Sequence, residues 1–477
     1  MHHVRRPMFV TAALLPLFVL GACNDAPTDL ATASAPSFSR VSAGTGEFVI
    51  LGADGALPAD IEAQVSAAGG AIVRSYPELG LAVASSVDGG FEARAAAIVG
   101  VESVTEDRLV EFIRPDQKTL DMTAEETPSA DVASLADNEP FYRYQWAPAA
   151  INAPEAWNAG YTGRGVRVAI LDGGLFNAHP DLAANVDVAR SRSFVPGFAY
   201  NQDVGTFWHG THVAGIVAAG DNSTGVIGIA PNATLIGVKV LHNGTGSFGW
   251  LIDAVMYASL PVAEGGAGAD IINMSLGALI LDEKAKEDKA DIQELAKALD
   301  RAMTYAWKQG TTVIAAAGNE YTNLDVDKFA LSIPAMSQHV ISVAATGPYG
   351  WAYGNRDFAR LASYSNWGKA GVDLAAPGGD FAWPTNELCS ITGNTLPCWA
   401  FDMYLSTSRA GYTWAAGTSM ASPVTAGVAA LIIEKAGGSM SPALVQAELQ
   451  RGALDLGKPG RDAVYGHGWV NAYNSVR

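Results

Sequence analysis

The feature that most constrains the fold is a series of short apolar runs in the last two thirds of the chain. Stretches with helical periodicity separate these runs. The runs are RVAILD, TLIGVKVL, ADIINMSLG, TTVIAAAGN, HVISVAAT and VDLAAPGG. Strands that are apolar throughout and alternate with helices are typical of a parallel sheet covered on both faces. The sequence therefore predicts an α/β domain with a mainly parallel central sheet.

Composition limits the classes of protein to consider. The chain has 477 residues, of which 49% are hydrophobic and 16% charged, enough for one large core and a smaller domain. The net charge is −18 at pH 7, which would repel a phosphate backbone. We therefore expect no nucleic-acid partner.

A smaller domain is predicted ahead of the α/β domain. Residues 46–112 have the order strand, helix, strand, strand, helix, strand, which is the ferredoxin-like (α+β) arrangement. Residues 23–45 are rich in Ala, Ser, Thr and Pro and predict a flexible tether, and residues 113–137 predict a solvated, acidic linker. The large domain then covers residues 138–477.

The N-terminus predicts export. Two arginines precede an apolar segment that is too short to span a bilayer, and Leu-Gly-Ala then leads into Cys23. This pattern resembles the lipobox of bacterial lipoproteins, which implies a signal peptide over residues 1–22 and a lipid on Cys23. The alternative is an ordinary signal peptide with an incidental cysteine.

The other two cysteines, Cys389 and Cys398, lie nine positions apart in a loop-like stretch. In an oxidising compartment they would form a disulfide, and in a reducing one they would be two thiols.

Three polar residues stand at the ends of apolar segments. Asp172 follows a predicted strand, His209 begins an Ala/Gly/Val-rich helix, and Ser419 precedes a long apolar helix. Each has a structural alternative, because Asp and Ser also cap helices and paired histidines (His209 and His212) also bind zinc. The zinc alternative lacks the HExxH spacing and a third ligand. We expect His209 to be catalytic and His212 to be structural.

The segments VAILDGGLFNAHPDL, HGTHVAGIVAA and GTSMASPVTAGVAAL resemble, in sequence and order, the three active-site segments of the subtilisin-like serine proteases. The resemblance covers about residues 140–477 and implies the three-layer subtilisin-like fold. It implies that Asp172, His209 and Ser419 form a catalytic triad, with Asn319 as an oxyanion donor. No cofactor for catalysis is expected.

The resemblance also assigns the substrate cleft. Its walls would be the segments GTGSFGW and SLG, whose small residues let a peptide approach. Phe248 and Leu251 would line an apolar pocket, and Glu320 would favour a basic or polar side chain near the cut. The predicted substrate-binding residues are Gly244, Gly246, Phe248, Leu251, Ser275, Leu276, Gly277 and Glu320. A structural calcium ion is a further expectation, with Asp181, Asn222 and Glu139 as ligands.

Two segments depart from the family pattern. Residues 278–300 predict a charged surface insertion that extends a helix. Residues 380–412 contain both cysteines and several aromatic residues, and lengthen the approach to Ser419. We expect the second segment either to rim the cleft or to brace the fold.

The sequence thus predicts an exported, self-processing serine endopeptidase that cleaves proteins or peptides and acts as a monomer. Residues 46–112 would be its intramolecular inhibitor and chaperone, and maturation would cut within residues 113–137. The lipid on Cys23 would be the only membrane contact, so the mature enzyme would be either a cell-envelope lipoprotein or secreted. The alternatives are a peptide-binding protein without activity and an α/β-hydrolase, although Ser419 lacks the GxSxG context.

Overall fold

The computed structural model describes residues 41–114, 118–122, 138–205, 208–280, 286–326, 331–409 and 411–477, and only the backbone for residues 41–44 and 286–288. The predicted signal peptide, Cys23 and most of the predicted tether and linker lie outside the described residues. Within them, no helix is long and apolar enough to cross a membrane.

The N-terminal domain has the predicted order of elements. In chain order they are β1 (Val41–Gly52), α1 (Ile61–Ala67), β2 (Ala71–Tyr76), β3 (Leu81–Ser85), α2 (Phe91–Ala96) and β4 (Val101–Glu111). The strands pair antiparallel in the order β2-β3-β1-β4, as in a ferredoxin-like sheet. Strand β1 begins at Val41, inside the stretch predicted to be a tether.

The predicted linker contains structure that the sequence analysis did not anticipate. Strand β5 (Thr119–Asp121) pairs antiparallel with a strand of the large domain, so this part of the linker is not a free, solvated chain. Its composition is polar, and the pairing partner lies about 290 residues away in sequence. Local periodicity cannot reveal such a long-range pairing.

The remaining elements belong to the large domain. In chain order they are α3 (Ala147–Ala150), α4 (Ala153–Asn158), β6 (Arg167–Asp172), β7 (Arg192–Ser193), α5 (His209–Ala218), β8 (Thr234–Lys239), β9 (Thr245–Ser247), α6 (Phe248–Ser259), β10 (Ile271–Met274), β11 (Ala278–Ile280), α7 (Lys286–Lys308), β12 (Thr312–Ala316), β13 (Leu331–Ile333), β14 (Val340–Thr346), β15 (Leu374–Pro377), β16 (Leu388–Ile391), β17 (Asn394–Pro397), α8 (Cys398–Phe401), β18 (Tyr404–Ser408), β19 (Gly411–Ala415), α9 (Thr418–Lys435), α10 (Pro442–Gly452) and α11 (Ala472–Val476).

In the described chain, seven strands form the central sheet in the order β15-β14-β12-β10-β6-β8-β7, and every neighbouring pair is parallel. Six of them are the predicted apolar runs. Val168 and Ile170 of β6 face the core that contains α5 and α9, whereas Ala169 and Leu171 face the core that contains α6 and α7. This alternation places the sheet between two helical layers and confirms the predicted α/β fold.

The N-terminal sheet continues directly into the large domain. Strand β4 pairs antiparallel with β9, so that a strand of the large domain becomes the fifth strand of the N-terminal sheet. Arg301 of α7 also donates hydrogen bonds to the carbonyl oxygens of Gly52, Leu79 and Gly80. The smaller domain is therefore docked on the α6 and α7 side of the large domain.

Candidate active site

An aspartate and a histidine meet at the carboxyl edge of the central sheet. Asp172 is the last residue of β6 and His209 the first of α5, and both are almost completely buried. The Nδ1 atom of His209 lies 3.0 and 2.9 Å from the two carboxylate oxygens of Asp172. Because a carboxylate accepts hydrogen bonds, this geometry favours the proton on Nδ1 and leaves Nε2 as the basic nitrogen.

A glycine makes this close approach geometrically feasible. A Cβ atom on Gly210 would lie 2.3 Å from the carbonyl oxygen of Gly174 and 2.9 Å from Cβ of Asp172. The residue that follows His209 must therefore lack a side chain, because helix α5 enters directly against the turn after β6.

Sequence reasoning missed a buried lysine beneath this pair. Lys239 ends β8 with no exposed surface, and its ammonium donates to the carbonyl oxygens of Gly173 and Leu241, the latter at 2.6 Å. Burial lowers the pKa of Lys239, and the charges of Asp203 and Asp172 oppose that shift. The ammonium of Lys239 therefore holds the turn after Asp172 through a backbone carbonyl oxygen of that turn. A charged residue at the end of an apolar strand was the available signal.

Ser419 lies in the first turn of α9, 3% exposed. Its hydroxyl donates to the carbonyl oxygen of Ser275 at 3.1 Å, and the hydroxyl of Ser275 donates to the carbonyl oxygen of Ser419 at 2.7 Å. Ser422, one turn on, donates to Oδ1 of Asn273 at 2.7 Å. These bonds fix the start of α9 against the segment after β10.

His212 has the structural role that we predicted for it. Its Nε2 lies 2.8 Å from the carbonyl oxygen of Thr413, and burial lowers its pKa to about 3, so the ring is neutral near pH 7. Its own carbonyl accepts a hydrogen bond from Ser406 at 2.7 Å. His212 thereby ties helix α5 to the β18–β19 hairpin, which leads into α9 and Ser419.

Asn319 follows β12 and faces the start of α9. Its Oδ1 accepts hydrogen bonds from the backbone N–H and the hydroxyl of Thr418, at 2.9 and 2.8 Å. Because Oδ1 is turned towards Thr418, the NH₂ end of the amide points the other way. The amide orientation thus leaves Nδ2 as the end of the side chain that Thr418 does not hold.

The end of the N-terminal domain lies in the predicted cleft as an extended strand. Leu109, Val110 and Glu111 pair with Ser247, Gly246 and Thr245, in that order. The N–H groups of Phe112 and Ile113 both donate to the carbonyl oxygen of Gly244, at 2.9 and 3.0 Å, and Gly277 donates to the carbonyl oxygen of Phe112 at 3.1 Å. The two predicted walls therefore do bind a peptide strand between them.

Apolar residues of the predicted cleft pack against the bound strand. The ring of Phe112 meets that of Phe248 edge to face, with centroids 5.9 Å apart. Both rings pack in one buried cluster with Leu251 and Leu276. At Gly246 a Cβ atom would lie 2.6 Å from Leu241 and from the carbonyl oxygen of Val240, and 3.7 Å from Phe112 of the bound strand. The packing of the wall itself therefore also requires a glycine here.

Arg114 ends this strand beside Asn319 and Glu320. Its guanidinium donates to the carbonyl oxygen of Asn319 at 3.3 Å. Burial raises the pKa of Glu320, while a hydrogen bond from Asn366 and the positive charge of Arg114 oppose the shift. The sequence singled out Glu320, but it did not identify Arg114 as the basic residue beside it.

The calcium prediction depends on whether the oxygens of Glu139, Asp181 and Asn222 are turned towards a cation. Glu139 instead accepts the backbone N–H groups of residues 222, 223 and 224 at 2.7–2.8 Å. Asp181 accepts the N–H of Val226 at 3.0 Å, and the side-chain amide of Asn222 donates to Pro180. Among the described residues, no three His, Cys, Asp or Glu form a cluster for a metal ion. Glu139 therefore clasps the loop by its backbone N–H groups, and the calcium site stays a prediction.

Segment 380–412 contains a disulfide-bonded hairpin and a short helix. The structure joins Cys389 and Cys398 in a disulfide, with the two Cα atoms 4.9 Å apart. Strands β16 and β17 flank the bridge as a hairpin, and α8 begins at Cys398. The disulfide therefore holds this hairpin against the short helix that carries Trp399.

Comparison with known proteins identifies the class to which this fold and site belong. Residues 163–468 match the subtilase family. A thermophilic serine proteinase of Bacillus sp. (strain AK1) is 32% identical over 72% of this chain and 70% of its own, and an alkaline protease of Alkalihalobacillus alcalophilus is 34% identical over 73% and 72%. The chain belongs to the subtilase family and is a serine endopeptidase.

A solved structure shows the same fold over more of the chain. It is a mutant form of the epidermin leader peptide processing serine protease of Staphylococcus aureus. The two superpose with a TM-score of 0.67 at 23% identity, covering 91% of this chain and 99% of that one. At this identity the likeness concerns the fold alone.

Proposed function

We propose that this chain is the precursor of an exported serine endopeptidase that acts through Asp172, His209 and Ser419 and cleaves after basic residues. One observation carries the proposal. The chain's own residues 109–114 lie between the two walls of the cleft and end with Arg114 beside Asn319. A peptide held in this way presents its next bond to the start of α9.

The proposed chemistry is that of an Asp-His-Ser triad, in which the Ser419 hydroxyl turns from the carbonyl oxygen of Ser275 towards His209. Ser419 attacks the carbonyl carbon after the bound basic residue, and Nε2 of His209 takes the hydroxyl proton. Asp172 stabilises the imidazolium through Nδ1. The C–N bond then breaks, the proton passes from His209 to the leaving amine, and a water molecule releases the acyl group from Ser419.

The developing oxyanion needs fixed donors. Nδ2 of Asn319 is suitably oriented, because the other end of its amide is held by Thr418, and the N–H of Ser419 at the start of α9 is the second donor. The partial positive charge at a helix N-terminus adds to the stabilisation.

The N-terminal domain acts as an inhibitor in this proposal. Its last strand fills the non-primed side of the cleft, and Asp107 accepts the N–H groups of Phe248 and Gly249 at the first turn of α6. Maturation would then cut within residues 113–137. If Cys23 carries a lipid, this cut frees the catalytic domain from its anchor.

A pair of serine variants tests the assignment. Ser419→Ala should accumulate as full-length precursor with no peptide hydrolysis, because the nucleophile is lost. Ser422→Ala is the matched control, since Ser422 lies one turn along the same helix and contacts Asn273 rather than the cleft. Normal maturation of Ser419→Ala would refute the proposal. Mass spectrometry of the N-terminus of the wild-type protein would report the lipid on Cys23 and the cut together.

A further inference from the structure

Beyond residues 115–117, which lie outside the described residues, the chain pairs again with the large domain, at a strand that ends shortly before Ser419. Residues Thr119, Leu120 and Asp121 pair antiparallel with Ala415, Trp414 and Thr413. The N–H of Met122 donates to the carbonyl oxygen of Tyr412 at 2.8 Å, and the hydroxyl of Thr413 to a carboxylate oxygen of Asp121 at 2.7 Å.

If the chain is cut after Arg114, its direction decides which side of the cut β5 belongs to. Residues up to Arg114 occupy the side of the cleft that binds the acyl part of a substrate. Everything that follows Arg114 belongs to the leaving-group side. Strand β5 adds to the edge of β19, which ends at Ala415, four residues before Ser419. The edge of β19 is therefore a binding surface for the leaving-group side of a peptide.

At the start of this strand, a cation lies over two aromatic rings. The ammonium of Lys118 is 3.6 Å from the ring centroid of Trp399 and 5.7 Å from that of Phe381. Both distances are within the range of cation–π attraction, which contributes about 0.5–1 kcal/mol at an exposed site. Lys118 is the single basic residue among seven acidic ones between residues 115 and 139, so its place on the rings is specific.

The two rings are held by the protein and not by Lys118. The indole N–H of Trp399 donates to Asn386 at 3.0 Å, and the residue follows Cys398 of the disulfide. The ring of Phe381 stacks on Tyr364 with centroids 5.4 Å apart. Both rings belong to segment 380–412, which departs from the family pattern. This is a built surface, because each ring has its own support.

We propose that Phe381 and Trp399 form a subsite for a lysine or arginine side chain on the leaving-group side of the substrate, four residues after the residue bound at Glu320. The peptide beyond it would add as a strand to β19. In the precursor, Arg114 lies beside Glu320 and Lys118 lies over Phe381 and Trp399, so the chain's own basic residues have this spacing. The inference rests on the proposed protease function and names a second determinant of its substrates: two basic residues, four apart, flanking the cut.

The experiment uses the mature enzyme and internally quenched peptides with arginine before the cut and alanine after it. The fourth residue after the cut is lysine, arginine, norleucine or glutamate. Lysine and arginine should raise kcat/KM about 2- to 5-fold over norleucine, the range that corresponds to a cation–π contact at an exposed site. Moving the lysine two positions further along should remove the gain, which excludes a general attraction to the acidic protein.

Variants locate the effect. In Trp399→Leu and, separately, Phe381→Leu, the ratio of lysine to norleucine peptide should fall towards one. Trp383→Leu is the matched control, because Trp383 lies in the same segment but stacks on Tyr353. The subsite is refuted if wild-type enzyme cleaves the lysine and norleucine peptides equally well, or if Trp399→Leu keeps the full ratio. Failure of wild-type enzyme to cleave any of the peptides, all of which have arginine before the cut, would instead refute the proposed cleavage after basic residues.

Discussion

Arg114 and Asn319 meet at the end of the cleft, where the arginine guanidinium donates to the asparagine carbonyl oxygen at 3.3 Å. The contact joins the last residue of the bound strand to the residue whose side chain faces the start of α9. It brings a positive charge close to Glu320, and the proposed preference for basic residues rests on this contact.

Glu320→Gln should reduce the preference for arginine before the cut. The substitution keeps the hydrogen-bonding shape but removes the charge, so kcat/KM for an arginine peptide should fall about tenfold, equivalent to about 1.4 kcal/mol, while a leucine peptide changes little. Parallel kinetics on the two peptides measure this ratio. Glu264→Gln, an exposed residue on the turn after α6, is the control. An unchanged arginine-to-leucine ratio in Glu320→Gln would contradict the assignment.

Asn319→Leu should lower kcat by about 10²–10³ and leave KM nearly constant, because Nδ2 stabilises charge that exists only in the transition state. The range is the one known for the corresponding donor of subtilisin itself. Steady-state kinetics separate the two constants. A variant with unchanged kcat, or one with only KM raised, would assign Asn319 a structural role.

The precursor should become less stable to unfolding as pH rises towards 7. Burial raises the pKa of Asp107 to about 7, despite hydrogen bonds from Ser247 and the backbone of α6. A carboxyl whose folded pKa lies above its unfolded value favours the folded state most at low pH and loses that contribution as pH approaches 7. The carboxylate of Glu47 adds to this shift.

Thermal unfolding of the Ser419→Ala precursor, measured from pH 5 to 8, checks this prediction. The melting temperature should fall with pH, and Asp107→Asn should flatten the decline, because a shift of about three pKa units corresponds to at most about 4 kcal/mol. Asp54→Asn, at an exposed site in the same domain, should leave the decline intact. Equal slopes with and without Asp107 would show that another group causes the pH dependence.

The residue after Arg114 should slow the first cut. Residue 115 is proline, which has no N–H and restricts the conformation of the residue before it. Pro115→Ala should therefore increase the rate of cleavage after Arg114 about tenfold, equivalent to about 1.4 kcal/mol in the barrier. A time course with N-terminal sequencing of the product measures it, with Pro128→Ala as control. Equal rates would show that the bond after Arg114 is not the one presented to Ser419.

The sequence predicted the parts of the molecule that have a regular pattern of apolar runs or several small residues close together. Six apolar runs indicated the central sheet, and they form it, because continuous apolar strands need two covered faces. Asp172 and His209 meet because Asp172 ends β6 and the helix that His209 begins enters at the same carboxyl edge of the sheet.

The sequence did not predict the long-range strand pairings or the charged contacts that these pairings create. The segment containing β9 was predicted to bind an extended peptide, but its partner β4 was not identified, and no local pattern marks the pairing of β5 with β19. Lys118 looks like one solvated charge until Trp399 is placed beneath it. Glu139 is a residue type that commonly binds metal ions, but its oxygens accept three N–H groups from a loop more than 80 residues away in sequence.

The central claim is that Ser419 is the attacking nucleophile beside a basic His209. Its most direct test is labelling of the mature protein with a fluorophosphonate, followed by tryptic mass mapping of the modified residue. The account predicts one adduct, on Ser419, whose formation is abolished by His209→Ala and prevented by a bound arginine peptide aldehyde. An intact, folded protein that takes no label at Ser419, or takes it equally well without His209, would contradict it.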